Sequence, residues 1–233
     1  MGQLFSVKKC FFILLGGSIL AFSLLMLTKV IPYFSFERGI HFLSTKPDKV
    51  LDNTVFLTGF YLHITSSLWV MAGGVFQFIP AILRNSPKMH QNLGKLYILS
   101  ILFLAAPSGL ILAFYANGGL PSKVGFTMQC MVWWFTTLLA WREISTRQWL
   151  SHIEWMIRSY AITLAAMSLR LESYWMYYFM GTKPIETYIT VTWLSWTGNL
   201  LIAEIMIRLG VAKHLLNALK KTHTSSLVTH NSL

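Results

Sequence analysis

Apolar residues along the chain fall into six stretches of membrane-spanning length, and four of those stretches carry a stripe of polar groups. The stretches run from about Phe11 to Ile31, Thr54 to Pro80, Leu93 to Tyr115, Val124 to Trp141, Trp155 to Tyr177 and Tyr188 to Arg208. An α-helix needs roughly 20 residues to cross a bilayer, and each stretch comes close to that length. Helical residues advance by about 100° each, so the alignment of side chains can be counted. On the second span His63, Ser67, Val70, Gly74 and Gln77 fall along one line, while Ile64, Leu68, Met71, Val75 and Phe78 form an apolar face suited to lipid. The third aligns His90, Gly94, Tyr97, Ile101 and Ser108, and the fourth Gly125, Gln129, Trp133, Thr136 and Ala140. The fifth aligns His152, Met156, Ser159, Thr163, Ala166 and Arg170, five whole turns from first to last. Polar groups in hydrocarbon must be satisfied inside the protein, so such stripes face one another. The pattern predicts an all-α integral membrane bundle of six transmembrane helices. Spans two to five form a four-helix core with His63, Gln77, Gln129 and Arg170 inside, and the first and sixth are peripheral.

Composition agrees with this pattern. Of 233 residues, 55% are hydrophobic and only 12% charged, against about a quarter charged in soluble domains. Six spans and their loops take up residues 1–210. Residues 211–233 read as a cytoplasmic tail, with a short amphipathic helix around Leu215, Leu216 and Leu219 and then a Ser/Thr-rich end expected to be disordered. Lys8 and Lys9 precede the first span as in a signal peptide. Its apolar run is longer than a signal peptide's and no small-residue cleavage site follows, so it reads as an uncleaved anchor.

The net charge of +11 sits mainly beside the spans, which argues for membrane orientation and against a nucleic-acid partner. Lys8, Lys9, Arg84, Lys88, Lys95, Arg142, Arg147, Arg158, Arg208, Lys213, Lys220 and Lys221 share one side, twelve of the nineteen Lys and Arg. Both termini are therefore expected in the cytoplasm. Two cysteines, Cys10 and Cys130, exclude a disulfide framework and a Cys-rich metal site.

Ionisable residues within spans mark candidate sites. His90 and His152 stand at equivalent ends of spans three and five. They read either as ligands of haem or another metal, or as interfacial histidines bonded to loops and headgroups. His63 lies deeper, as a functional group or as a buried histidine bonded to a neighbouring span. Arg170 keeps its charge and suits an anion, a haem propionate or a quinone oxygen, or else a structural carbonyl. Arg158 and Glu204 are expected to pair, and Gln77 with Pro80 to shape the end of the second span. P-loop, HExxH and GxSxG signatures are absent.

Two segments carry a resemblance. The first is Gly74 to Tyr97, with Gln77-Phe-x-Pro80 and His90-x-x-x-Gly94-x-x-Tyr97. The second is His152-x-x-Trp155-Met156-x-Arg158-Ser159-Tyr160, with Arg170 beyond. Both resemble a bacterial membrane-protein family known as domain of unknown function 2306, which implies a multi-pass membrane fold and no established activity. The architecture is also similar to cytochrome b561 proteins, whose haems are held by histidine pairs from spans two and four and spans three and five. His90 and His152 fall where the three–five pair would lie, and Arg84 and Lys88 match the basic lead into that helix. His63 matches the two–four pair, but its partner position holds Gln129, which does not ordinarily ligate haem iron. That departure bears against one of the two haems.

The leading expectation is a b-type haem-binding or quinone-linked redox protein of the bacterial inner membrane. His90 and His152 would be axial ligands of haem b, and Arg170 the anion or quinone partner. Its surroundings would be the lipid bilayer and a quinone or another membrane redox protein. Two alternatives stand beside it: a small-anion or proton-coupled transporter built on His63 and Arg170, and a structural or assembly subunit of a membrane complex.

Overall fold

The computed structural model describes residues 2–217; the Ser/Thr-rich end lies outside the described residues. Six long helical rods follow one another. They are α1 (Gly2–Val30), α2 (Thr54–Gln77), α3 (Pro87–Phe114), α4 (Gly119–Ser145), α5 (149–175) and α6 (Pro184–Arg208). Among the described residues there is no strand. Gly16–Ser35, Thr54–Gln77 and Pro87–Phe114 are long and apolar enough to cross a membrane by length and composition. α4 and α6 match them in length, at 27 and 25 residues, but carry more polar and tryptophan side chains.

Helices begin where backbone chemistry allows, often earlier than the apolar run. Asn53 caps α2, its Oδ1 accepting from the Val55 and Phe56 amides at 2.9 and 3.2 Å. α3 and α6 start with Pro87 and Pro184, whose missing N–H costs nothing in a first turn. α3 therefore opens six residues before Leu93, and α5 opens at Trp149 rather than Trp155. His90 and His152 consequently sit in the first turns of their helices rather than ahead of them.

α2, α3, α4 and α5 enclose the core, where Val70, Tyr97, Ile101, Trp133, Ala140, Met156, Tyr160 and Ile162 are buried. α1 packs on α2, and α6 on α4 and α5. The outer circumference stays strongly apolar. Leu24, Phe103, Met131, Phe135, Leu201 and Ile202 are all more than half exposed, a surface that lipid and not water would cover.

Two expectations about faces are corrected. Met71 and Val75, assigned to lipid, are buried at 4% and 7% exposure because α1 lies over them. A Cβ on Gly16 would stand 3.6 Å from Val75 Cγ1. The outward side of α2 is Val55, Leu62 and Trp69 instead. On α5 the stripe holds for Met156, Ser159 and Thr163, all buried, and then fails, since Ala166 and Arg170 are exposed. The helix breaks at Leu164, where ψ is −7°, into Trp149–Thr163 and Ala165–Trp175. One irregular residue rotates the second segment, so a count of turns carried across the break misplaces everything beyond it.

α3 has its own irregularity. Ile101–Ala105 is a wide π-type turn in which the Ala106 amide reaches Ile101 O. That shift takes from Leu102 O the partner an α-helix would provide, and the Trp134 indole of α4 donates to it at 3.1 Å. Pro107 follows directly and has no N–H for the Phe103 carbonyl.

The sixth helix is tied in more closely than a peripheral one. Asn199 Nδ2 donates to Ala161 O beside the α5 break, at 3.0 Å, and Ser168 donates to Asn199 Oδ1 at 2.9 Å. Arg158 and Glu204 form the expected ion pair, with Nε–Oε1 at 2.5 Å and Nη2–Oε2 at 3.1 Å.

Candidate functional site

At one end of the bundle, α2 finishes, α3 and α5 start, and α4 finishes. Between these four ends lies a cavity of ≈ 550 Å³. His90 from α3 and His152 from α5 both line it, with Gln77, Lys95, Trp141 and Trp149 around them and Ile98, Ile153 and Met156 as apolar wall. The two histidines share one space because Pro87 and Trp149 start their helices at the same level of the bundle.

The state of each ring follows from its partners. His152 Nδ1 lies 2.8 Å from Ala140 O. A carbonyl only accepts, so Nδ1 carries the proton and donates, and Nε2 keeps its lone pair. His90 Nδ1 is buried and has no hydrogen-bond partner. Gln77 contributes a second unpartnered group, its Nε2. Gly94 makes room for that amide, since a Cβ there would be 2.9 Å from Gln77 Oε1. Among the described residues no Asp or Glu lines the cavity, while Lys95 does. The arrangement offers a lone pair, an amide donor and a cation to a largely apolar guest.

Behind the cavity the remaining motif residues knit the helices together. Tyr97 Oη lies 3.2 Å from Ser159 Oγ and 3.0 Å from Thr163 Oγ1. The Trp133 indole donates to Thr163 Oγ1 at 3.0 Å, and Thr137 meets Ser159 at 2.7 Å. Tyr160 donates to Met71 O at 2.9 Å across α2. Its ring passes so close to Gly74 that a Cβ there would lie 2.3 Å from Tyr160 Cε2. Gly74, Tyr97, Ser159 and Tyr160 are thus packing residues that hold the cavity's walls in register.

The other candidates lie outside the cavity's lining. His63 Nδ1 donates to Ala105 O, at the end of the wide turn of α3, at 2.9 Å, and Ser67 Oγ stands 3.4 Å from the same nitrogen. A Cβ on Gly109 would lie 2.9 Å from His63 Cε1 and 3.0 Å from Cys130 Sγ, so the thiol packs against the same glycine as the ring. Gln129 is partly buried, and its Oε1 has no hydrogen-bond partner. Arg170 is exposed and donates to Ala166 O of its own helix at 2.6 Å. It stands about 27 Å along α5 from His152, at 1.5 Å per residue. Among the described residues no group of three or more His, Cys, Asp or Glu stands together to hold a metal ion.

Sequence reasoning missed Lys95, Trp141 and Trp149 as cavity residues; the tryptophans have the spacing of an interfacial belt and stay exposed while also lining the cavity. It also missed Lys46, in the α1–α2 connection at the opposite end. Lys46 is 7% exposed. Its Nζ donates to Tyr115 O at 2.6 Å and Asn117 Oδ1 at 2.8 Å, and lies 4.5 Å from the centre of the Phe42 ring. Burial, and secondarily the charge of Lys123, lowers its pKa to about 8. No local sequence signal marks a loop lysine that will be buried.

The family described as "Predicted membrane protein (DUF2306)" matches residues 60–207, from α2 to the end of α6. No curated protein and no solved structure matches the chain.

Proposed function

We propose that the chain, which belongs to the DUF2306 family of membrane proteins, is a redox protein that holds haem b in the cavity shared by His90 and His152. The observation that carries the reading is His152, which lines the cavity with His90 and whose Nδ1–H is engaged by Ala140 O, leaving Nε2 as its ligating nitrogen. Ligating histidines ordinarily donate their other ring N–H to a carbonyl or carboxylate, which fixes the tautomer and the ring plane. The wall of Ile98, Trp141, Trp149, Ile153 and Met156 suits a flat apolar ring system. Lys95, with no carboxylate among the described lining residues, suits its acidic substituents. Lys95 therefore takes the part that the sequence reading assigned to Arg170. Gln77 Nε2 adds a donor for a carboxylate or for a quinone oxygen. Haem b would supply one-electron chemistry, exchanged with a membrane quinone or another redox protein. The cavity opens, in this reading, toward the cytoplasm of a bacterial cell.

An absorbance spectrum of protein purified in detergent after haem-replete expression tests this. A Soret band is expected, absent in His90→Ala and in His152→Ala and retained in His63→Ala, with all four proteins inserted in the membrane. A colourless wild-type protein, or a band that survives both cavity substitutions, overturns the reading.

A further inference from the structure

The chain beyond α6 stays with the bundle. α6 ends at Arg208, Gly210 turns the backbone with φ 81°, and residues 211–217 are helical again. Its side chains divide cleanly. Ala212 is 1% exposed, in a small apolar cluster with Ile157 of α5 and Ala203 of α6, against which Phe78, Leu150, Ile153 and Val211 pack. Leu215 and Leu216, one turn on, line the His90–His152 cavity. Lys213, His214 and Asn217 are exposed. The inward positions 211, 212, 215 and 216 have the spacing of a one-sided amphipathic helix.

Such a segment is poised between two states. Most helical stability in proteins comes from packing an amphipathic face rather than from propensity, so this segment depends on its docking to stay in place. Both ion pairs among the described residues, Arg38–Asp52 and Arg158–Glu204, leave this segment out. What anchors it, among the described residues, is one small buried alanine and the apolar faces of partly buried Val211, Leu215 and Leu216. Gly210 at the junction has no neighbour within 4 Å of a Cβ position, leaving space for the backbone there to turn.

We propose that helix 211–217 is a lid on the His90–His152 cavity, which closes it with Leu215 and Leu216 and opens by swinging about Gly210. The lid makes entry to the cavity a separate, controllable step from binding inside it. It rests on the reading of that cavity as a ligand site only for what enters, and its test needs no ligand.

Full-length protein carrying Cys10→Ser and Cys130→Ser, with one new thiol from Ile98→Cys in the cavity wall, is labelled in detergent with a water-soluble maleimide. With the lid intact the labelling is slow. Leu215→Asp combined with Leu216→Asp is expected to speed it at least tenfold, and Lys213→Ser on the outer face to leave it unchanged. Should the double Asp protein fail to fold, Leu215→Ala with Leu216→Ala serves instead, with a several-fold increase expected. Equal rates for the intact and the weakened lid overturn the proposal. A colourless protein with a lid-dependent rate removes the haem and keeps the lid, whereas a haem-containing protein with equal rates does the reverse.

Discussion

Lys46 shows how much one residue's behaviour depends on where the fold puts it. Its ammonium closes the end of α3 by donating to Tyr115 O and Asn117 Oδ1, the end at which helix carbonyls lack partners and favour a cation. Burial opposes the charge and lowers the pKa from 10.5 to about 8. The sign of the consequence follows from proton counting. Below about 8 both the folded and the unfolded chain hold the proton, and the folded state bears the whole penalty of a buried charge. Between about 8 and 10.5 the unfolded chain binds more protons, so stability rises with pH, by at most about 1.4 kcal/mol per unit. The melting midpoint of the wild type should accordingly gain on that of Lys46→Met as pH goes from 8 to 10. A constant difference over that range would show that Lys46 titrates as it does in water.

Between residue and fold, the helices are set by how closely their backbones approach and by where they are interrupted. α2 and α5 meet at Gly74, over which the Tyr160 ring lies, with its hydroxyl on Met71 O. A methyl group at 74 overlaps that ring and displaces it, and overpacking of this kind costs about 1–3 kcal/mol. Gly74→Ala should therefore lower the thermal midpoint in detergent. Gly198→Ala in α6, where nothing lies within 4 Å of the added carbon, should leave it unchanged or raise it, since alanine favours the helix by up to about 1 kcal/mol. If the two substitutions act alike, the close approach of α2 and α5 is not what stabilises this pair. The wide turn in α3 and the break in α5 follow the same logic. At each a side chain from another helix donates to a carbonyl beside the interruption, Trp134 to Leu102 and Asn199 to Ala161. Interruptions inside a membrane bundle persist where neighbours satisfy the freed groups.

For the molecule as a whole, the surface has two characters. Apolar side chains surround the middle, and the cavity end carries Lys88, Lys95, Arg142 and Arg147, while Lys49, Lys123 and Lys183 lie at the opposite end. Positive charge is retained on the cytoplasmic side during insertion. Topology reporters placed at Lys123 and at Lys183 should therefore read the outside, and one at the C-terminus the inside. A C-terminal reporter on the outside would reverse the orientation of the cavity and of its lid.

Six helices of spanning length, a core made by the second to the fifth, and the pairing of Arg158 with Glu204 were all written in local pattern. Hydropathy and helical period act over one helix at a time, and charge complementarity needs only two residues at matching depth. The same local pattern placed His90 and His152 at equivalent helix starts, but that both line one cavity depends on how four helix ends pack together. It carried no information about what lies over a face, so Met71 and Val75 read as lipid-facing until α1 was seen to cover them. Nor does it register a break, and Arg170 lost its inward place to a single irregular residue at Leu164. The burial of Lys46, the tautomer of His152 and the position of Leu215 and Leu216 over the cavity all depend on groups far away in the chain. Contacts of that kind exist only once the helices have packed, because each is made by two elements whose relative position neither one encodes alone.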